Sequence, residues 1–272
     1  MSSTTAATGD ASAPATTGSE IPFGSKGKIL IVLSGEDHIT LANGKEQPTG
    51  YFLPELAKPL SRLLDAGYKP VFANPNGSKP AEDSMSSYLL IFLGNWMERR
   101  REWDLLNKMR EEAGLDSPRK LSDISDEELS TFAGLFIPGG HAPMEDLHAS
   151  KDLGRILLHF HNNKKATGSL CHGPVALLAT RTQGEFAYKG YTLSVYSDTE
   201  ESMNEVVFGG KLKFKAASEL EAAGAKLNNT IPFGVHVSVD RELVTGQGFT
   251  SAAAMGDAFV KLLEEKHVAP AV

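Results

Sequence analysis

Cysteine is almost missing from this chain: of 272 residues only Cys171 is one. A single thiol excludes any disulfide within the chain and any zinc set built on paired cysteines. It suits a reducing compartment and leaves open only a bond between two copies. The histidines give no metal signal either, since His159 and His161 are two apart and fall on different faces of a helix; no metal is expected. Nor is there an apolar run near the roughly 20 residues that cross a bilayer. Basic residues are in the minority, 27 against 34 acidic, for a formal charge of −7 and a pI near 5.6. That balance argues against a broad cationic surface for nucleic acid or anionic membrane. No Gly-x-Gly-x-x-Gly follows the first strand-like run, and the glycine-lysine stretch at 24–28 lacks phosphate-loop spacing and precedes a strand. No nucleotide cofactor is indicated.

The amino end has no basic residue before Lys26 and no apolar block, only a stretch rich in Ser, Thr, Ala and Gly with Asp10 and Glu20. Residues 1–25 therefore read as a disordered tail. Lacking the features of a secretory signal or an arginine-rich transit peptide, the tail makes the cytoplasm, with nuclear access, the expected location.

What remains, 26–272, is long enough and apolar enough (41% hydrophobic, 22% charged) to bury one large core as a single domain. The β-branched run at 28–34 is the kind of strand covered on both faces of a parallel sheet. A helical pattern ending near Gly67, with Pro59 expected to kink or shift it, leads to a second strand at 69–74. That is a βαβ unit, and it predicts an α/β fold: a flavodoxin-like, doubly wound, mostly parallel sheet with helices on both faces. Between about 75 and 132 the pattern turns helical and reads as an insertion over one end of the sheet. Its Trp96 and Trp103 are expected in the core. Further strands are expected at 133–138, 166–170, 191–196, 236–240 and 243–245, and a closing helix at 251–266.

Cys171 sits where one of those strands gives way to a helix that opens on Gly173 and Pro174. A free cysteine is often only a small buried hydrophobe. Here the adjacent His172, the glycine and the strand-to-helix turn point to a nucleophile, with the helix end expected to favour a thiolate. The strand at 133–138 runs into Gly139, Gly140 and His141, a turn whose N–H groups could form an oxyanion pocket if Cys171 lies nearby. Both turns fall at carboxyl ends of parallel strands, where ligands bind in open α/β sheets. The acidic turn at 197–201 brings Asp198, Glu200 and Glu201 within range of His172.

Four pieces now stand in order: Thr49 and Gly50 with Glu55, the turn at 138–141, the stretch at 170–174, and Leu243 to Gly246. With them the chain resembles the ThiJ/PfpI superfamily, of class I glutamine amidotransferase-like fold. Within it the chain is similar to the branch of glutathione-independent glyoxalases III and stress chaperones. The resemblance implies that Cys171 is the nucleophile in a strained elbow, His172 its neighbour and Glu55 the acid touching the sulfur. Counted from Gly190, it implies Glu201 as the carboxylate that orients His172. Gly139, Gly140, His141 and Gly173 would form the oxyanion and substrate pocket. The metal site of some bacterial relatives has no counterpart at the end of the Glu55 helix, which reads Leu63, Leu64, Asp65 and Ala66.

The implied reaction is the conversion of a small 2-oxoaldehyde, methylglyoxal, to D-lactate with no cofactor. Partners are the substrate and, for assembly, a second copy in a homodimer, with neither nucleic acid nor membrane. Two other classes remain open: a cysteine hydrolase (peptidase, amidase or deglycase), and a non-enzymatic stress chaperone or redox sensor that works through oxidation of Cys171.

Overall fold

The computed structural model describes residues 24–88 and 94–268, so nearly all of the tail expected over 1–25 lies outside the described residues. The first β-branched run forms β1 (Lys28–Val32). Ile29 and Ile31 join one apolar cluster while Leu30 and Val32 join the other, the two-faced burial that a central strand requires. A small hairpin, β2 (His38–Thr40) and β3 (Glu46–Pro48), precedes α1 (Leu53–Asp65) and β4 (Lys69–Asn74). Pro54 stands in the first turn of α1, where a missing N–H costs nothing, and Pro59 lies within the helix without ending it. The chain continues through α2 (Trp96–Glu112), β5 (Arg119–Lys120), α3 (Asp126–Ser130), β6 (Phe132–Ile137), α4 (Lys151–Asn162) and β7 (Ala166–Leu170). It then forms β8 (Thr192–Leu193), α5 (Asp198–Phe208), α6 (Ala216–Ala222), β9 (Lys226–Leu227), β10 (Val237–Asp240), β11 (Leu243–Gly246) and α7 (Ala252–Val268).

Seven strands form the main sheet in the order β10-β11-β7-β6-β1-β4-β5, parallel except for β10 against β11. Taken in chain order, β1, β4, β6, β7 and β11 occupy the flavodoxin-like arrangement 2-1-3-4-5, with the reversal between β1 and β6. Apolar residues of α1, α2 and α7 (Leu56, Leu106, Phe259) cover one face; those of α3, α4 and α6 (Leu129, Ile156, Leu220) cover the other.

Three elements differ from the sequence expectation. The segment 75–132 is not helical throughout: α2 packs along α1, but the same segment adds edge strand β5 to β4 and contributes α3. The tryptophans are not core. Trp96 is 62% and Trp103 43% exposed, while α2 buries Glu102, Leu106 and Met109. The seven-residue spacing puts both rings on one helix face, and that face meets solvent, with the Trp103 indole N–H donating to Glu82 at 3.2 Å under the Arg99 guanidinium. The strand expected over 191–196 shrinks to two residues paired with β9. Beyond it, the N–H groups of Ser194 and Val195 donate to the side chains of Thr245 and Asn229, which takes them out of a ladder.

Candidate active site

Three segments meet at the carboxyl edge of the sheet beside the reversal of strand order. Cys171 follows β7 directly with φ of 60°. A non-glycine residue in this left-handed region costs roughly 1–2 kcal/mol. Two backbone hydrogen bonds hold it there: its N–H donates to Gly246 O at 2.9 Å and its carbonyl accepts from Tyr196 N–H at 3.0 Å. The thiol is buried on a cavity of about 130 Å³ that Glu55, His141 and His172 also line. After the turn, residues Gly173–Thr182 wind in 3₁₀ turns, where an α-helix was expected. Whatever the dipole of those turns contributes, it does not hold the thiol ionised: burial first, then the Glu55 carboxyl, push the Cys171 pKa up. The expectation of a thiolate favoured by a helix end is reversed.

Glu55 enters from the first turn of α1, fully buried. Burial pushes its carboxyl up to about 8, against weaker lowering by the Cys171 sulfur and the Gly140 N–H. Its Oε2 is left without a well-formed hydrogen bond. Two acids in one dry pocket repel as anions and so titrate as a pair. Near pH 7 Glu55 keeps its proton, and in that state the repulsion it would exert on a thiolate is absent.

His172 places Nδ1 3.2 Å from the Cys171 sulfur and Nε2 2.5 Å from Glu201 Oε2. The other Glu201 oxygen lies 2.8 Å from Nε2 of His141, whose ring tilts against that of His172 at 3.9 Å between centroids. Burial would raise the Glu201 pKa, but His172 and His141 together hold it well below the ordinary carboxylate range. An ionised carboxylate only accepts, so both imidazoles present Nε2–H to it, and His172 turns the Nδ1 lone pair toward the sulfur. Burial, and next His141, lower the His172 pKa, so this ring is neutral at pH 7. For His141 burial works downward, yet Glu201 outweighs it and the net shift is up.

Of the three acidic candidates, therefore, only Glu201 reaches His172. Ser197 caps α5 in a capping box with Glu200, so Glu200 bonds Ser197, Gln247 and the Phe233 N–H instead. Asp198 accepts from Ser218. Among the pocket glycines, Gly140 lines the cavity with His141, whereas Gly139 and Gly173 stand behind it. A Cβ on Gly139 would fall 2.1 Å from Glu55 Oε2 and 2.6 Å from Cys171 Cβ, and one on Gly173 2.6 Å from Ile137 O. Their role is close approach. His141, Glu201 and His172 also offer donors within 4.8 Å of one another. A metal ion there would have to displace both Nε2 protons and break both hydrogen bonds, so the set is poorly suited to hold one.

Sequence reasoning missed the shared use of Glu201 by His141, sixty residues away, and the apolar wall. Phe52, Met85, Phe208, Phe233 and Phe249 close the cavity, with the Tyr196 ring tilted against that of His172 at 4.6 Å between centroids. They come from separate segments, and no spacing links them. Asp83 is also there, buried, accepting from Thr49 Oγ1 at 2.8 Å and Met85 N–H at 2.9 Å.

A buried cysteine in a left-handed elbow at the carboxyl end of a doubly wound sheet, with a carboxyl and an imidazole on it, defines a class of cysteine-centred α/β proteins. The model of the ThiJ/PfpI family-like domain matches residues 47–209, and the chain belongs to the ThiJ/PfpI family. It is 30% identical over 248 residues, 85% of this chain and 78% of the other, to the protein/nucleic acid deglycase HchA of Staphylococcus aureus. Solved structures with the same fold include glyoxalase III (Orf 19.251) from Candida albicans, with a TM-score of 0.70 at 23% identity over 87% of this chain and 97% of that one. Another is the Rapid Encystment Protein of Francisella tularensis, with a TM-score of 0.70 at 20% identity over 87% and 99%. The relatives support an enzyme of this family.

Proposed function

We propose that this protein is a cofactor-independent glyoxalase III that hydrates and isomerises methylglyoxal to lactate through Cys171. The observation that carries the reading is the placement of one thiol between a protonated carboxyl, Glu55, and a neutral imidazole, His172. As the sulfur attacks the aldehyde carbon, its proton passes to His172 Nδ1, and the imidazolium is stabilised by Glu201. Glu55 protonates the aldehyde oxygen to give a hemithioacetal. The carboxylate so formed removes the proton from that carbon while the His172 imidazolium protonates the ketone oxygen, giving an enediol and a neutral imidazole; Glu55 then delivers its proton to the neighbouring carbon and takes up the hydroxyl proton of the first carbon. This leaves a lactoyl thioester, which water, deprotonated by His172, cleaves to lactate and free thiol. Substrate plus one water equals product, since oxidation at one carbon matches reduction at the next, and no electron carrier is required.

The name of the Staphylococcus aureus relative supports a second reading, a deglycase that would release the same three-carbon unit from glycated amines or thiols. The two are separated by following lactate while free methylglyoxal is held low with an amine scavenger. A glyoxalase slows in proportion to free methylglyoxal, and a deglycase continues on the preformed adduct. Lactate output independent of free methylglyoxal would favour the deglycase.

A further inference from the structure

Glu200 is the most heavily bonded carboxylate near the cavity that the chemistry above leaves unused. It is fully buried. Its Oε2 accepts from Ser197 N–H at 3.0 Å, Ser197 Oγ at 2.6 Å and Gln247 Nε2 at 3.1 Å, and its Oε1 accepts from Phe233 N–H at 2.6 Å. Gln247 in turn accepts from Thr230 N–H at 2.8 Å and donates to Ile231 O at 3.3 Å. Two buried side chains thus clamp residues 230–233 from below. Phe233 is held at φ of 59°, in the left-handed region that a bulky side chain adopts only where its surroundings impose it. It is 45% exposed and yet lines the active-site cavity, which places it at the rim.

Besides the reacting groups, the cavity behind that rim is walled mainly by aromatic and apolar side chains, with Asp83, His141 and Asn204 as its further polar members. Among the described residues no lysine or arginine lines it, while Asp83 and Glu55 do. Nothing there would neutralise a carboxylate or phosphate on the substrate, and leaving such a charge unpaired in an apolar site is costly. At about 130 Å³ it is smaller than the ~300–1,000 Å³ of pockets that enclose drug-sized ligands.

Resting on the glyoxalase reading, we propose that the site prefers neutral 2-oxoaldehydes bearing an apolar substituent. Phe233 is the specificity-determining contact for that substituent, and Glu200 is its positioning residue. The substituent packs between Phe233 and the facing phenyl rings of Phe52 and Phe249, themselves 5.8 Å apart between centroids, while the aldehyde carbon stays at the sulfur.

The test compares phenylglyoxal with methylglyoxal for the wild type, Phe233→Ala, Phe233→Leu and Glu200→Gln. Alkylation of Cys171 by phenacyl bromide and by bromoacetone, read by mass spectrometry, runs in parallel. In that step the sulfur–carbon bond forms, bromide leaves and the thiol proton goes to buffer, so no turnover is needed. Removing the ring should cut kcat/KM for phenylglyoxal, through KM, by about tenfold more than it cuts kcat/KM for methylglyoxal, the scale of losing part of an apolar pocket. Phe233→Leu should recover most of the loss. Glu200→Gln should shift the same ratio in the same direction, and if it does not fold, the Phe233 pair decides alone. The labelling preference for phenacyl bromide should fall in step. Equal loss for both substrates and both reagents, or an unchanged preference in Phe233→Ala, would overturn the proposal. Absence of lactate or mandelate from the wild type, with a Phe233-dependent labelling preference intact, would instead remove the glyoxalase reading and keep the pocket assignment.

Discussion

Glu55 carries the heaviest demand of any single residue, because it must hold a proton at the start and lack one a step later. Burial gives it a pKa of about 8, so raising the pH through that value removes the acid needed for the first step. Activity should fall on the alkaline side, with the acid limb below the ordinary imidazole range, where His172 would gain a proton. A profile of kcat/KM against pH checks both limbs. Glu55→Gln should lower kcat by about two to four orders of magnitude, the usual weight of a positioned acid-base group, because an amide cannot cycle a proton. Near-normal turnover by that variant would refute the role. The cysteine elbow was legible because the only thiol sits where a strand must end beside a glycine and a proline. The burial of Glu55 was not, since it depends on α1 docking at the sheet edge, which no local pattern encodes. Glu201 emerged only from counting register. Its second partner, His141, comes from another loop.

At the level of elements, the turn after β6 sets the contact between thiol and acid. Gly139→Ala would drive a methyl into Glu55 and Cys171 Cβ, with Leu170 O only 2.7 Å away on the backbone side. We expect loss of activity and a destabilisation on the order of 1–3 kcal/mol, as for other overpacked sites, measured by urea unfolding alongside lactate formation. Retention of both would show that the turn can shift. The α1–α2 packing makes a separate prediction. Glu102 is buried with neither carboxylate oxygen hydrogen-bonded and Lys58 Nζ 3.7 Å away. Burial raises its pKa to about 7, against the opposing pull of Lys58. The unfolded side chain ionises near 4.5, so between those values the native state holds the extra proton and stability falls as pH rises. Glu102→Gln should recover on the order of 2 kcal/mol at pH 8 and little at pH 4. A variant less stable than wild type at pH 8 would contradict it. Misplacing the tryptophans of α2 in the core followed from reading aromatics as core by default. The buried face runs through Glu102, Leu106 and Met109, and the acidic residue that opens it hides it from hydropathy.

For the molecule as a whole, the doubly wound topology was the most legible feature. Strands with β-branched runs, separated by helical stretches, leave few alternatives once crossovers are right-handed. That topology delivers the turns after β6 and β7 and the start of α1 to one edge, although more than a hundred residues separate Glu55 from Cys171 in the sequence. Less legible was the two-residue edge strand β5, which carries Arg119 and Lys120 with no apolar signal at all. Among the described residues no helix is long and apolar enough to cross a membrane. The homodimer expected from the sequence remains a proposal, to be checked by light scattering of the full chain. The central claim, a cofactor-free reaction centred on Cys171, is tested most directly by incubating the purified protein with methylglyoxal, without added thiol or metal, and counting lactate formed per protein. The account predicts many lactates per chain, one for each methylglyoxal consumed, and none with Cys171→Ser. A single adduct on Cys171 without turnover, or lactate formation that survives Cys171→Ser, would contradict it.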